Sequence, residues 1–269
     1  MSLFKDMLKE NETIFKDEMV LDLDYIPYPI KFRETQQQYI ATCIKPLFQN
    51  RNGKNLIITG APGIGKTVVA KQILEELKKE TDDIVPIYIN CWKKDTAYKI
   101  ALEICEHIGY KFTQNKDTDA LLKEIFKILN KKSAVLVLDE ADKLSDFNIL
   151  YSLLEDIFKK TLILITNENS FLKELDPRIR SRLTPEVLEF KPYNYEETKN
   201  ILKERTEYAF FPNVVTEEAL KLIADKTFEA KDIRSGLYLL KESGDIAELE
   251  SSKKILESSS SKFLILSAM

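Results

Sequence analysis

The sequence has 269 residues, 44% hydrophobic and 31% charged, with a formal net charge of −4, an ordinary globular composition with room for one large or two modest domains. No apolar run reaches the roughly 18 residues of a membrane span, and Met1-Ser2-Leu3-Phe4-Lys5-Asp6 lacks the charged-then-apolar order of a signal peptide, so a cytoplasmic protein with no membrane partner is expected. The acidic balance argues against a surface coated for nucleic acid, and three scattered cysteines in apolar contexts, Cys43, Cys91 and Cys105, argue against a disulfide frame or a zinc site.

From Met1 to about Asp24 the chain is charged and mixed without a clean period, which predicts an arm or short helix ahead of the fold. Tyr25 to Phe32 carries two prolines among alternating apolar residues and is expected to be an extended loop. A helix is expected from Arg33 to Phe48, with Tyr39, Ile40, Cys43, Ile44 and Leu47 at helical spacing. The strand Leu56-Ile57-Ile58-Thr59 then runs into Gly60-Ala61-Pro62-Gly63-Ile64-Gly65-Lys66-Thr67, followed by a helix opening at Val68. This stretch fits G-x-x-x-x-G-K-[ST] with the strand and helix that the pattern requires on either side.

Glycines there let the backbone wrap a polyanion and turn its N–H groups inward, and the helix aims its positive end at the same place. Lys66 would reach the β- and γ-phosphates of ATP, and the Thr67 hydroxyl would hold Mg²⁺. The plain alternative is a Gly/Pro turn with a solvated lysine. With a nucleotide expected here, the loop ending in Ile30 and Arg33 either packs beside the base or packs on the core, and both remain open.

A second strand is expected at Ile84 to Asn90, then helices from Thr96 to Ile108 and Thr118 to Leu129 around a polar loop, Gly109 to Asp117. His107, with no histidine or cysteine near it in sequence, is expected to sit on the surface or cap a helix. The run Ala134-Val135-Leu136-Val137-Leu138 ends in Asp139-Glu140 and reads as a strand buried on both faces, hence a parallel sheet covered by helices. Ligands of such sheets sit at the carboxyl ends of the strands, so Asp139 is expected to hold Mg²⁺ and Glu140 to activate a water; two acids merely capping a turn is the plain alternative. Asp142 is expected to be structural.

After a helix from Asn148 to Phe158, Thr161 to Ile165 repeats the buried-strand pattern and ends at Asn167, whose amide can position the attacking water or merely form a turn. Asp176-Pro177 reads as an N-cap and first helical residue, placing Arg178 and Arg182 on one face of a short helix, as an arginine finger or a solvated basic face. Glu186 to Phe190 is a fifth strand and Lys191-Pro192-Tyr193-Asn194 a boundary. Helices at about Tyr195 to Phe210, Thr216 to Lys226 and Lys231 to Leu249 make a small all-helical unit, and the serine-rich Ser251 to Ser261 a tail. The expected layout is an arm, 1–24; an α/β nucleotide-binding domain, 25–192; a helical lid, 193–250; and a tail, 251–269.

This combination resembles AAA+ ATPases, and within them the origin-recognition type of replication initiator of archaea and eukaryotes. Beside the phosphate loop and Asp139-Glu140, the resemblance rests on Pro27 with Arg33-Glu34, Tyr88-Ile89-Asn90-Cys91, Ile165-Thr166-Asn167, Leu175-Asp176-Pro177-Arg178, and Pro192-Tyr193 with Ile201-Leu202, Arg205 and Ala209-Phe210. It implies a P-loop sheet of five parallel strands with a helical lid, and a nucleotide site of Ile30, Arg33, Gly60 to Val68 and Arg234. Asn167 would be the first sensor of the γ-phosphate and Arg234, from the lid, the second. Lys231-Asp232 stands where the family usually has Gly-Asp. Ser181-Arg182 looks like the finger segment of related clamp-loading ATPases, which favours Arg182 over Arg178.

The family normally continues into a winged-helix DNA-binding domain, which is not expected within these 269 residues. DNA contact would then rest on an inserted helical hairpin, corresponding here to about Tyr110 to Asp119, with Lys111 and Lys116 as its cations. The resemblance implies ATP hydrolysis to ADP, origin DNA, a replicative helicase and other AAA+ subunits as partners, and a place beside the nucleoid, or in the nucleus of a eukaryote. The alternatives are another AAA+ machine, such as a clamp loader or transposition ATPase, or a nucleotide-locked adaptor with negligible turnover.

Overall fold

The computed structural model describes residues 13–256 and divides into two units, Phe32–Lys191 and the described residues of Met1–Lys31 with Pro192–Met269.

The first unit is built on five strands, β1 (Leu56–Thr59), β2 (Ile84–Asn90), β3 (Ser133–Asp139), β4 (Lys160–Ile165) and β5 (Glu186–Glu189). They lie in the order β2-β3-β4-β1-β5, every pairing parallel. The three inner strands are the apolar ones: every residue of β1, β3 and β4 is buried, as strands covered by helices on both faces require. Edge strand β5 instead alternates half-buried and exposed residues. Helices α1 (Glu34–Ile44), α2 (Lys66–Glu80), α3 (Ala97–His107), α4 (Thr118–Leu129), α5 (Asn148–Asp156), α6 (Phe171–Glu174) and α7 (Pro177–Leu183) connect them. The expected helix to Phe48 stops being α-helical at Ile44, because Pro46 removes an N–H donor and the chain tightens into a 3-10 turn, Lys45–Gln49.

Parallel pairing sends every carboxyl end to one edge of the sheet. Register then decides which residues meet there: Ile58 pairs with Ile165, Leu138 with Leu164, and Asn90 with Asp139. The residues that follow β1, β3 and β4 therefore emerge side by side.

The second unit holds α8 (Tyr195–Ala209), α9 (Glu217–Ala230) and α10 (Ile233–Leu249). Side chains of Asn194, Thr216 and Asp232 cap the three N-termini, Asn194 within a capping box with Glu197. Lys231 takes the left-handed conformation, φ 55°, at the turn between α9 and α10.

The N-terminal segment differs from the expected arm. Ile14, Phe15, Val20 and Leu21 are buried in the same apolar cluster as Leu202, Phe210, Ile223 and Leu240. Phe15 forms an antiparallel bridge to Phe210 with ring centroids 4.8 Å apart, and Lys16 N–H donates to the Ala209 carbonyl at 2.8 Å. Residues 13–31 thus belong with the helices, not ahead of an α/β domain starting at Tyr25. The tail differs too where it is described: Ile255 is fully buried and bridges Val215. The remainder of both expected termini lies outside the described residues.

Candidate functional site

The phosphate loop leaves β1 at Gly60 and enters α2 at Lys66. Gly60, Gly63 and Gly65 have φ of 142°, 70° and 92°, a region side chains disfavour. At Gly60 a Cβ would also lie 2.5 Å from the Phe190 carbonyl oxygen and 2.7 Å from Ile64 Cδ1, so only glycine fits the cradle. The first N–H groups of α2 have no helical partners and face the loop, a ready anion site. Lys66 is buried, and its ammonium donates to the carbonyls of Gly60 and Ala61, each at 2.7 Å, and to Asn167 Oδ1 at 2.9 Å. Two carbonyl dipoles and an amide hold the cation over the loop.

Beside it, Thr67 Oγ1 donates to Asp139 Oδ2 at 2.6 Å. Asp139 is 2% exposed, and its Oδ1 accepts from the Glu140 N–H at 2.9 Å. The Tyr88 phenol donates to Oδ2 at 2.8 Å. Burial, then the Asp139 charge, holds that phenol far above its ordinary range and therefore protonated. Cys91 is likewise pushed up to about 12, mainly by burial and then by Asp139, Glu140 and Asp142, which leaves it an inert thiol. Glu140 leaves β3 in the left-handed conformation, φ 54°. Thr166 Oγ1 donates to Asp142 Oδ1 at 2.9 Å and accepts from the Glu168 N–H at 3.0 Å, clamping the turn that carries Asn167.

A hydroxyl and a carboxylate on one buried oxygen pair suit Mg²⁺, which binds through one or two protein oxygens with phosphate oxygens and water. Among the described residues no group of three or more His, Cys, Asp or Glu is placed to hold a metal alone. The glycine cradle, the buried ammonium and this donor pair together fit a nucleotide triphosphate with its cation.

The structure brings Gly60 to Thr67, Asp139 and Asn167 into direct contact at one sheet edge, and Glu140 adjoins them through Asp139. Val68 follows Thr67 in the first turn of α2. Arg33 is buried behind the loop: Nε and Nη2 donate to the Ile64 carbonyl at 3.1 and 3.0 Å and Nη2 to the Lys191 carbonyl at 2.8 Å, while the guanidinium lies 5.4 Å from the Phe190 ring centroid. It braces the loop. Ile30 is buried, and both it and the exposed Arg234 fall in the other unit; Arg234 pairs with Asp232 at 2.8 Å.

On α7, Arg182 pairs with Glu155 and donates to Tyr151 Oη at 2.9 Å, both on α5, whereas exposed Arg178 pairs with Asp176 at 3.2 Å. Exposed His107 hydrogen-bonds the Tyr88 carbonyl at 3.1 Å, and all three cysteines are free and buried. Tyr110 to Asp117 form no helical hairpin: the chain loops directly from α3 into α4, where Asp117 caps the helix. Sequence reasoning gave Tyr88 no chemistry; its signals were a place in a segment that carries the resemblance and a hydroxyl two residues before the end of an edge strand.

A parallel sheet ordered β2-β3-β4-β1-β5, with a glycine-rich loop after β1, acids after β3, a polar residue after β4 and a helical unit following, defines a P-loop ATPase of the AAA+ class. Residues 49–173 match the family described as an AAA domain, and residues 199–260 match the Cdc6 AAA+ ATPase-type lid domain. The chain is similar to ORC1-type DNA replication protein 2 of Methanothermobacter thermautotrophicus, 30% identical over 94% of this chain and 70% of that protein. ORC1-type DNA replication protein 1 of Sulfurisphaera tokodaii is 34% identical over 90% of this chain, which spans 64% of that relative's length. Among solved structures, the Aeropyrum pernix Orc1 protein in complex with DNA matches with a TM-score of 0.85 at 28% identity, over 94% of this chain and 70% of that one. The chain belongs to the family of ORC1-type DNA replication proteins. No helix among the described residues is long and apolar enough to cross a membrane.

Proposed function

We propose that this chain is the ATP-binding and hydrolysing core of a DNA replication initiator, in which the bound nucleotide switches contacts with DNA and partner proteins. What supports this most is the pairing of Thr67 Oγ1 with Asp139 Oδ2 at 2.6 Å beside the Lys66 ammonium, itself 2.9 Å from Asn167. The loop N–H groups hold the phosphates, and Lys66 exchanges its two carbonyl partners for β- and γ-phosphate oxygens. Thr67 and Asp139 would hold Mg²⁺, which would supply neutralisation of charge on the phosphate oxygens. The Glu140 carboxylate accepts a proton from the attacking water, which the Asn167 amide helps to orient.

In this reading Arg234 senses the γ-phosphate from the lid, and Arg182 acts on the nucleotide of a neighbouring AAA+ subunit. An arginine finger is worth about 10³ to 10⁵ in rate, so an isolated copy hydrolyses slowly. The similar Aeropyrum pernix protein was solved with DNA, which supports DNA as a partner; a replicative helicase is the protein partner we expect, inside the cell and beside its DNA.

Glu140→Gln tests the centre of the scheme. The variant is expected to bind ATP within about threefold of wild type and to lose 10²- to 10⁴-fold in turnover, roughly the range for general-base loss, measured by equilibrium binding and phosphate release. Unchanged release by the variant removes Glu140 from the mechanism.

A further inference from the structure

Tyr88-Ile89-Asn90-Cys91 closes β2, and the scheme above gives it no task. Alternation along a strand puts Ile89 and Cys91 on one face, where both are buried in the core. Tyr88 and Asn90 share the other face, and it meets the nucleotide site. The Tyr88 phenol donates to Asp139 Oδ2 at 2.8 Å, the same oxygen that accepts from Thr67 Oγ1 at 2.6 Å.

The phenol itself is held. Lys71 Nζ stands 4.9 Å from its ring centroid, and His107 Nε2 lies 3.1 Å from its backbone carbonyl. Lys71 is one helical turn beyond Thr67 on α2, so the tyrosine touches both elements that carry the oxygen pair.

We propose that Tyr88 is a positioning residue for Mg²⁺, fixing the Asp139 carboxylate so that Oδ2 faces Thr67. The proposal rests on the reading of Thr67 and Asp139 as the metal pair. A hydroxyl has one proton and two lone pairs, so Thr67 keeps donating to Oδ2 while a lone pair turns to the cation, and the phenol supplies the second donor. Without it, the carboxylate keeps the Thr67 hydroxyl on Oδ2 and the Glu140 N–H on Oδ1, and its orientation is less firmly fixed. Loss of such outer partners lowers metal affinity about 10- to 100-fold.

The test is a fluorescence titration with methylanthraniloyl-ATP, in EDTA and then in rising MgCl₂, on wild type, Tyr88→Phe and Tyr39→Phe. Tyr39 donates to Glu186 Oε2 at 3.1 Å, the same phenol–carboxylate chemistry away from the loop. Tyr88→Phe is expected to keep the EDTA affinity within about twofold and to raise the Mg²⁺ midpoint about 10- to 100-fold, with Tyr39→Phe at the wild-type midpoint. Mn²⁺ binding to the ADP complex, followed by electron paramagnetic resonance, should fall in parallel without any turnover. Should Tyr88→Phe fail to fold, Lys71→Met, which removes the cation standing 4.9 Å from the ring centroid, is expected to shift the midpoint the same way by less.

A wild-type affinity indifferent to Mg²⁺ overturns the parent reading. A normal wild-type response with unshifted midpoints in the variants overturns the role of Tyr88 alone, as does an equal loss in EDTA and in Mg²⁺.

Discussion

At the scale of single residues the candidate site is tied together by its own side chains. Lys66 is held by two loop carbonyls and Asn167, Arg33 braces the loop through the Ile64 carbonyl, and Thr67 already touches Asp139. Gly60 is the position where this depends on the absence of a side chain. Alanine there meets a main-chain oxygen at 2.5 Å with φ at 142°, and neither the carbonyl nor the dihedral can adjust without moving the loop. Gly60→Ala is therefore expected to lower stability by about 1–3 kcal/mol, the range for strained backbone, and to weaken ATP binding further than Tyr88→Phe does in EDTA. Chemical denaturation with nucleotide titration on the same variant checks both. That Gly60 to Thr67, Asp139 and Asn167 meet at one sheet edge was readable because each follows an apolar strand of a parallel sheet. Tyr88 was not, because its meaning depends on β2 lying next to β3, a pairing that sequence order does not reveal.

At the scale of elements, strands with continuous burial were legible and segments with distant partners were not. β2 and the start of α4 fall where apolar patterning and caps put them, and Pro46 explains where α1 gives way to a 3-10 turn. Ile14, Phe15, Val20 and Leu21 have no helical or strand period, since they enter the core from an extended piece and a 3-10 turn, Glu18–Leu21. Their partners lie about two hundred residues further on, so local pattern could not show the burial. Gly244 of α10 tests the fit. A Cβ there would stand 2.4 Å from Phe15 Cζ and 3.0 Å from Phe210 Cε1. Alanine gains about 1 kcal/mol in helix propensity, whereas overpacking costs about 1–3 kcal/mol, so Gly244→Ala is expected to lower the melting temperature. In a Phe15→Ala background only the 3.0 Å approach to Phe210 remains, so the same change is expected to cost less or be neutral, a coupling that a double-mutant cycle measures.

At the scale of the whole chain, among the described residues, an apolar core around the sheet and another among α8 to α10 lie in units joined in sequence at 31–32 and 191–192. The phosphate loop, Asp139 and Asn167 all belong to the first, and Arg234 to the second. A ligand that binds only the first unit stabilises it by RT ln(1 + [L]/Kd), about 2.7 kcal/mol at a hundredfold excess over Kd, and leaves exchange of the α8 to α10 amides unchanged. If Arg234 reaches the γ-phosphate, ATP acts on both units and ADP, which lacks that phosphate, on the first alone. Hydrogen exchange with Glu140→Gln, so that ATP persists, is expected to show slower exchange in β1, β3 and β4 with either nucleotide. In α10 the slowing should appear with ATP only, since the ligand must bind one state of the lid better to shift it. Adding Arg234→Ala should remove the α10 response and keep that of the strands. Equal α10 protection by ADP, or protection that survives Arg234→Ala, would show that the lid senses occupancy of the site by some other contact.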